Sequence, residues 1–220
     1  MTHRTVVRHM ARVPRDVTQE AKAERRARLA DHQRQQITSA AARCFAEAGY
    51  DATTMRAIAE ACGFTASSLY TYFDGKEDIF AAIIEQISAS ANDVFTRSMP
   101  ESMSFEQRLE LLVIRMFEFT ESHRDALIFM SKMHNGCAPS TAASDHMMQS
   151  ETTLIDALRD WIALNATGVE FGDATLDDVG FYVWGAMHGF FVQWLARGGT
   201  SKLADKVPVM TQLILKGLRP

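Results

Sequence analysis

Between Thr54 and Lys76 the chain places Thr54, Arg56, Thr65, Ala66, Ser67, Ser68, Tyr70, Thr71, Tyr72 and Lys76 within one short stretch. These side chains are small, hydroxylated, aromatic or cationic, and none is acidic. Such a set is suited to hydrogen bonding along a polyanion. Arg56 can reach a guanine edge, Lys76 can meet a phosphate, and Ala66 can offer a base only an apolar contact such as with a thymine methyl. Catalytic chemistry finds no comparable set. Cys137 has His134 nearby, but in a Gly/Pro/Ser loop without fixed geometry. His123, His134, His146 and His188 form no HExxH and no pair at i,i+4. The sequence holds no GxGxxG and no P-loop. Asp177 and Asp178 sit at a helix start, where the macrodipole accounts for them. The reading is therefore not an enzyme, with no cofactor and no metal.

The reading set needs two helices to hold it. Thr54 and Thr65 each precede an apolar-periodic run and can cap it. Gly63 tolerates a left-handed backbone and can turn the chain between them. Ile58, Ala59, Phe64, Leu69 and Phe73 are spaced to bury one face of each helix against a third. Ala66, Ser67, Ser68, Tyr70, Thr71 and Tyr72 would remain outside. This is the pattern of a helix-turn-helix, whose second helix enters a major groove. An ordinary helical corner with a solvated second helix satisfies the same spacing.

The flanks separate the two. Residues Gln35 to Gln86 resemble the N-terminal domain of the TetR family of bacterial transcriptional regulators. The resemblance rests on Phe45-Ala46-Glu47-x-Gly49-Tyr50, Thr53-Thr54, Ile58-Ala59, Gly63, Leu69-Tyr70, Phe73 and Lys76-Glu77. It is close over the first third of the chain and architectural over the rest. It implies an all-α fold, an N-terminal three-helix DNA-binding domain and a C-terminal helical domain for ligand binding and dimerisation. Family members often carry Lys, Arg or Gln where Ala66 stands, and His where Tyr72 stands, so the operator sequence is not legible.

Charge is unevenly spread over the 220 residues, whose net charge is −4. Through Lys76 there are 12 Lys and Arg against 8 Asp and Glu, and beyond it 11 against 19. A basic front on an acidic body fits one module that meets phosphates and another that does not. Arg4, Arg8, Arg12, Arg15, Lys22, Arg25, Arg26, Arg28 and Arg34 punctuate the stretch up to the first apolar helix, of which residues 1–33 are taken as a basic N-terminal arm. Residues 1–17 read as an unstructured tail. From Thr18 onward a helix could merge with the next one. The functional reading of the arm is added phosphate or minor-groove contact. It lacks a secretory h-region, and Asp16, Glu20 and Glu24 argue against a transit peptide. Cys44, Cys62 and Cys137 form no CxxC pair, which points to a reducing cytosol and a cytoplasmic, nucleoid-associated protein.

The DNA-binding domain is assigned to 34–80 and the body to 81–220. Helices are predicted over Gln35–Ala48, Lys76–Arg97, about eighteen residues from Ser104, Ala126–His134, Asp145–Leu164, Thr175–Arg197 and Lys202–Leu218, with a loop over Asn135–Ser144. The stretch Phe181 to Ala196 is apolar nearly all round, too short and too interrupted to span a bilayer, so no membrane role is expected. A helix apolar on every side must be covered on every side. Gly180, Gly185 and Gly189 would let another backbone approach. The resemblance implies that the last two long helices pair with those of a second copy as a four-helix bundle. Gly185, His188, Gly189 and Leu213 are the expected interface, with His188 a hydrogen-bonded residue in it. A ligand cavity is expected in the middle helices, walled by Met116, Phe117, Phe119, Phe129, Met130, Met133, Met147, Trp161, Phe181, Trp184 and Phe191. Such a wall suits a small, largely apolar or aromatic effector. The expected partners are double-stranded DNA with a palindromic operator, a second copy of the chain and that effector.

Overall fold

Ala, Arg, Glu and Gln dominate residues 18–36, with neither Gly nor Pro among them, so nothing locally stops a helix there. In the computed structural model, which describes residues 15–133 and 141–218, α1 accordingly runs unbroken over Arg15–Ala48. The helix expected at Gln35 is merged with the one that composition allowed from Thr18, starting twenty residues before Gln35, and the boundary drawn between 33 and 34 falls inside it. The Arg4, Arg8 and Arg12 portion of the arm lies outside the described residues, as do His134 and Cys137. Gly49, at φ 85°, ends α1. Only the second half of α1 is covered: Ile37, Ala41 and Phe45 are fully buried.

Two more short helices, α2 (Met55–Cys62) and α3 (Ala66–Leu69), lie against it. Then α4 (Lys76–Thr96) leaves the front of the molecule and enters the body. The body is α5 (Phe105–Ser122), α6 (Arg124–Lys132), α7 (Thr141–Asn165), α8 (Leu176–Ala196), a 3-10 turn at Leu203–Lys206 and α9 (Val207–Leu218). All described elements are helical, and no described helix is long and apolar enough to cross a membrane. The starts of α5 and α8 are capping boxes, Ser104 with Gln107 and Thr175 with Asp178. The helix expected from Lys202 is divided: α9 begins at Val207, with Pro208 in its first turn, where a missing N–H costs nothing.

Two apolar cores result. The front core gathers Ile37, Phe45, Ile58, Leu69, Phe73 and the first turns of α4. The rear core gathers Leu109, Leu112, Phe117, Leu158, Trp161, Ile162, Val183 and Ile214. Helix α4 supplies both, Ile79 to Ile87 to the front and Val94 and Phe95 to the rear. Helix α6 belongs to the front core, although it follows the body's first helix. Phe129 is fully buried there, 4.8 Å between ring centroids from Phe45 and 5.4 Å edge-on from Phe80. At its other end Arg124 donates to the carbonyls of Gly198 and Gly199, just past α8, at 2.8 and 2.9 Å. One nine-residue helix thus ties the end of α8 to α1.

Candidate nucleic-acid interface

The turn between α2 and α3 is built from local hydrogen bonds. The Thr54 hydroxyl accepts from the Ala57 N–H at 3.1 Å, and the Thr65 hydroxyl accepts from the Ser68 N–H at 3.1 Å. Gly63 sits at φ 75°, and the Phe64 N–H returns to the Ala59 carbonyl at 2.8 Å, closing the end of α2. Residues with a Cβ would be strained at that φ. The regular part of α3 is only four residues, but turns continue the coil to Phe73. Leu69 and Phe73 anchor it from beneath. Ser67, Tyr70 and Thr71 are exposed, while Ala66, Ser68 and Tyr72 are half-buried.

Two of the expected contact residues are already engaged within the protein. Tyr72 stands edge-on to Phe64 and its hydroxyl donates to Gln33 of α1. Arg34 bonds the Tyr72 carbonyl and stacks 4.1 Å from the Phe73 ring. Tyr72 therefore fixes α3 to α1 and offers less to DNA than Tyr70, which is 55% exposed. The Lys76 ammonium donates to the carbonyls of Tyr50 and Asp51 at 2.7 and 3.3 Å and lies 4.6 Å from the Tyr50 ring. Lys76 thus ties the start of α4 to the loop after α1, so a phosphate contact would be made in addition to these bonds or in exchange for them. Sequence spacing did not reveal this, because the acceptors are main-chain carbonyls 25 and 26 residues away.

Arg56 is held by a surface pair rather than by the core. It is exposed, with Nε 2.9 Å from Glu60 one turn along, a hydrogen bond that raises its already high pKa. Exposed pairs of this kind are weak, so exchange of Glu60 for a base edge is inexpensive. Cys44 and Cys62 are half-buried, and burial pushes both thiols up, away from the nucleophilic thiolate form.

The residues expected to wall one ligand cavity do not share a site. Met116, Phe117 and Trp161 are in the rear core, with Phe119, Trp184 and Phe191 partly buried against it. Phe129 and Met133 belong to the front core, with Met130 packed beside them, because α6 turns back onto α1. Phe181 is 61% exposed. The Met147 side chain lies outside the described residues. A cleft of about 480 Å³ lies elsewhere, between α1, α4 and the α5–α6 corner, lined by Thr38, Arg43, Gln86, Glu121, His123 and Arg124 among others. It is polar and was not foreseen, since its residues come from three separated segments.

On the far side, α8 and α9 expose Phe181, Tyr182, Val192, Val209 and Leu213. A Cβ built on Gly185 or Gly189 would meet nothing within 4 Å, whereas one on Gly180 would touch Arg159 of α7 at 3.6 Å. Gly180 is thus an internal packing glycine, and Gly185 and Gly189 face outward. His188 is exposed between Trp184 and Phe191, whose rings lie 6.0 and 6.2 Å away.

Residues 37–83, the end of α1 with α2, α3 and the start of α4, match the profile of bacterial regulatory proteins of the tetR family. This part of the chain is the DNA-binding domain of the TetR family. The chain is a DNA-binding transcriptional regulator of that type. It is 24% identical over 193 residues to the HTH-type transcriptional repressor AcnR of Corynebacterium diphtheriae, covering 85% of this chain and 93% of that one. It is likewise 24% identical over 189 residues to the repressor KstR2 of Rhodococcus jostii, covering 84% and 90%. The fatty acid degradation regulator FadR of Bacillus halodurans has the same fold at a TM-score of 0.73, with 22% identity and coverage of 85% and 96%. FadR of Bacillus subtilis, solved with stearoyl-CoA, superposes at 0.70 with 16% identity, covering 83% and 98%.

Proposed function

We propose that this TetR-family regulator is a homodimeric repressor that binds a palindromic operator and is released by a small, largely apolar ligand. The observation that carries the reading is the pairing of two exposed faces in one chain. One is the hydroxyl- and tyrosine-bearing turn from Ser67 to Thr71 with Arg56 beside it; the other is the apolar α8–α9 face with its outward glycines. A second copy would cover the apolar face, and the two-fold axis would present two recognition turns to two half-sites about one helical turn apart or more. Arg56, Ser67, Tyr70 and Thr71 are the proposed direct readers, with Thr54, Thr65, Ala66, Ser68, Tyr72 and Lys76 forming and supporting the surface.

Support for an apolar effector comes from the rear core, rich in Phe, Met and Trp, and from the stearoyl-CoA bound by the FadR of Bacillus subtilis. The polar cleft lined by Arg43, His123 and Arg124 favours a second reading, in which the effector is polar and sits on the seam between α1, α4 and α6. In either case a ligand releases DNA only by preferring a dimer with a different separation of recognition turns. Helix α4, shared by the two cores, and α6, tied at both ends, are the proposed levers.

The test is a titration of long-chain acyl-CoAs, apolar aromatics and small polar anions, followed by Trp161, Trp184 and Trp194 fluorescence and repeated with operator bound. A true effector should lower operator affinity roughly five- to 150-fold, and operator should lower effector affinity by the same factor. If every compound binds equally with and without operator, the regulator is constitutive or switched by a protein partner.

A further inference from the structure

We propose that the exposed first half of α1 is a second DNA-binding element, which lies along the backbone flanking each half-site through Lys22, Arg25 and Arg26. This rests on the DNA-binding reading above and extends it to a surface outside the helix-turn-helix. Residues 19–29 of α1 are exposed on every side, so this part of the helix is not held by the fold. At 3.6 residues per turn, Lys22, Arg26, Leu29 and Gln33 form one stripe, with Arg25 at its edge. Glu20, Glu24 and Asp31 fall on the opposite side. Arg28 is on that acidic side too, 3.4 Å from Glu24. The charges are therefore sorted: the three cations of the stripe have no carboxylate partner among the described residues, and the fourth is paired away from it.

The stripe is continuous with the reading surface. Gln33, its last member, accepts the Tyr72 hydroxyl, and Arg34 holds the Tyr72 carbonyl. Hence the side of α1 that carries the free cations is the side that meets the recognition turn. A duplex seated on Tyr70 and Thr71 would have this stripe beside it. Lys22 to Arg26 spans roughly 6 Å at 1.5 Å per residue, about two phosphate steps of one strand along the duplex axis. Leu29, 50% exposed in the same stripe, could rest on a sugar edge. The partner that fits cations at this spacing, next to a DNA-reading turn, is the phosphate backbone of the same DNA.

The experiment uses the full-length protein and an operator selected by it from random duplexes. Two duplexes are compared, one ending at the palindrome and one carrying about ten further base pairs on each side. The variant is Lys22→Gln, Arg25→Gln and Arg26→Gln together, since Gln keeps helix propensity. Arg28→Ala is the control on the opposite face. The wild-type protein and Arg28→Ala should bind the longer duplex at least about tenfold more tightly, with a steeper salt dependence, by close to one unit per contact and up to about three per protomer. The triple variant should bind both duplexes as the wild type binds the short one, with its base preference intact. Equal wild-type affinity for the two duplexes, or an unchanged salt slope in the triple variant, overturns the proposal and leaves the helix-turn-helix reading standing. A wild-type protein that selects no duplex overturns both.

Discussion

The recognition turn and the α8–α9 face are both exposed, and their chemistry is opposite. Around Thr65 to Thr71 the large apolar side chains turn inward: Leu69 and Phe73 are below 2% exposed, Phe64 is half-buried, and mainly hydroxyls and a tyrosine are left outside. On α8 and α9 the same chain leaves Phe181, Tyr182, Val192, Val209 and Leu213 in the open. A surface finished with hydroxyls awaits a partner that forms hydrogen bonds. A surface of uncovered Phe, Val and Leu around two glycines awaits one that excludes water, since contiguous apolar patches on soluble chains mark interaction sites. The first face should be tolerant of the absence of its partner and the second should not.

The largest effect should come from the apolar face. Leu213→Glu would place two like charges near the two-fold axis, and Gly189→Leu should overpack the same contact by roughly 1–3 kcal/mol per copy. Sedimentation should show about twice the 24.6 kDa chain mass for the wild type and a single chain mass for Leu213→Glu. Operator affinity should then drop by roughly 10²–10⁴, the avidity gained by linking two half-site readers. A dimeric Leu213→Glu protein would move the interface off α9.

Next come the reading residues, where the comparison can be sharpened within one domain. Arg56→Ala should cost roughly 1–3 kcal/mol per half-site and relax preference at one base position. Lys76→Met should weaken all sequences alike without lowering the salt slope, because its charge is bound by Tyr50 and Asp51 rather than by phosphate. Its loss should show in the melting temperature as well, by roughly 2–4 °C per kcal/mol for a chain of this size. A salt slope that falls by about one would mean that Lys76 leaves those carbonyls for a phosphate when DNA is bound.

The contrast between Arg56 and Lys76 also shows what could be read before the fold was known. The helix-turn-helix was legible because its signals are local: Thr54 and Thr65 cap where they stand, and Gly63 takes the left-handed turn the spacing demanded. The caps of α5 and α8 are just as local, set by residues three apart, but Asp178 was read only as a charge at a helix start. The extension of α1 ahead of Gln35 was legible only in composition, from Thr18 onward, because an exposed helix shows no apolar period. Which core α6 joins was not legible at all: Phe129 and Met133 carry the same apolar character whether they face a ligand or face Phe45. What holds Lys76 in the fold was not legible either, because carbonyl acceptors are present at every residue and leave no mark in a sequence. Long-range packing, not side-chain type, decides these cases.

The smallest expected effect separates the two regions by their response to acid. Helices α2 and α3 are capped by Thr54 and Thr65, which do not titrate, whereas α8 is capped by Thr175 together with Asp178. The Asp178 carboxylate accepts from the Thr175 hydroxyl at 2.6 Å and from its N–H at 2.8 Å, and these bonds hold its pKa below the usual carboxylate range. A carboxyl whose pKa is depressed in the folded state adds stability that is complete above its unfolded pKa and is lost as pH falls through the folded one. Asp178→Asn should therefore melt slightly below the wild type at neutral pH, and the difference should shrink as pH falls through the depressed folded pKa. Thr65→Ala should lower the melting temperature by a similar amount at pH 7 and at pH 4, since a hydroxyl cap accepts the same N–H at both. Melting curves of the two variants across that range would compare the regions directly. A pH-independent Asp178→Asn difference would mean that the carboxylate at the start of α8 is a solvated acid, and that Thr175 caps the helix alone.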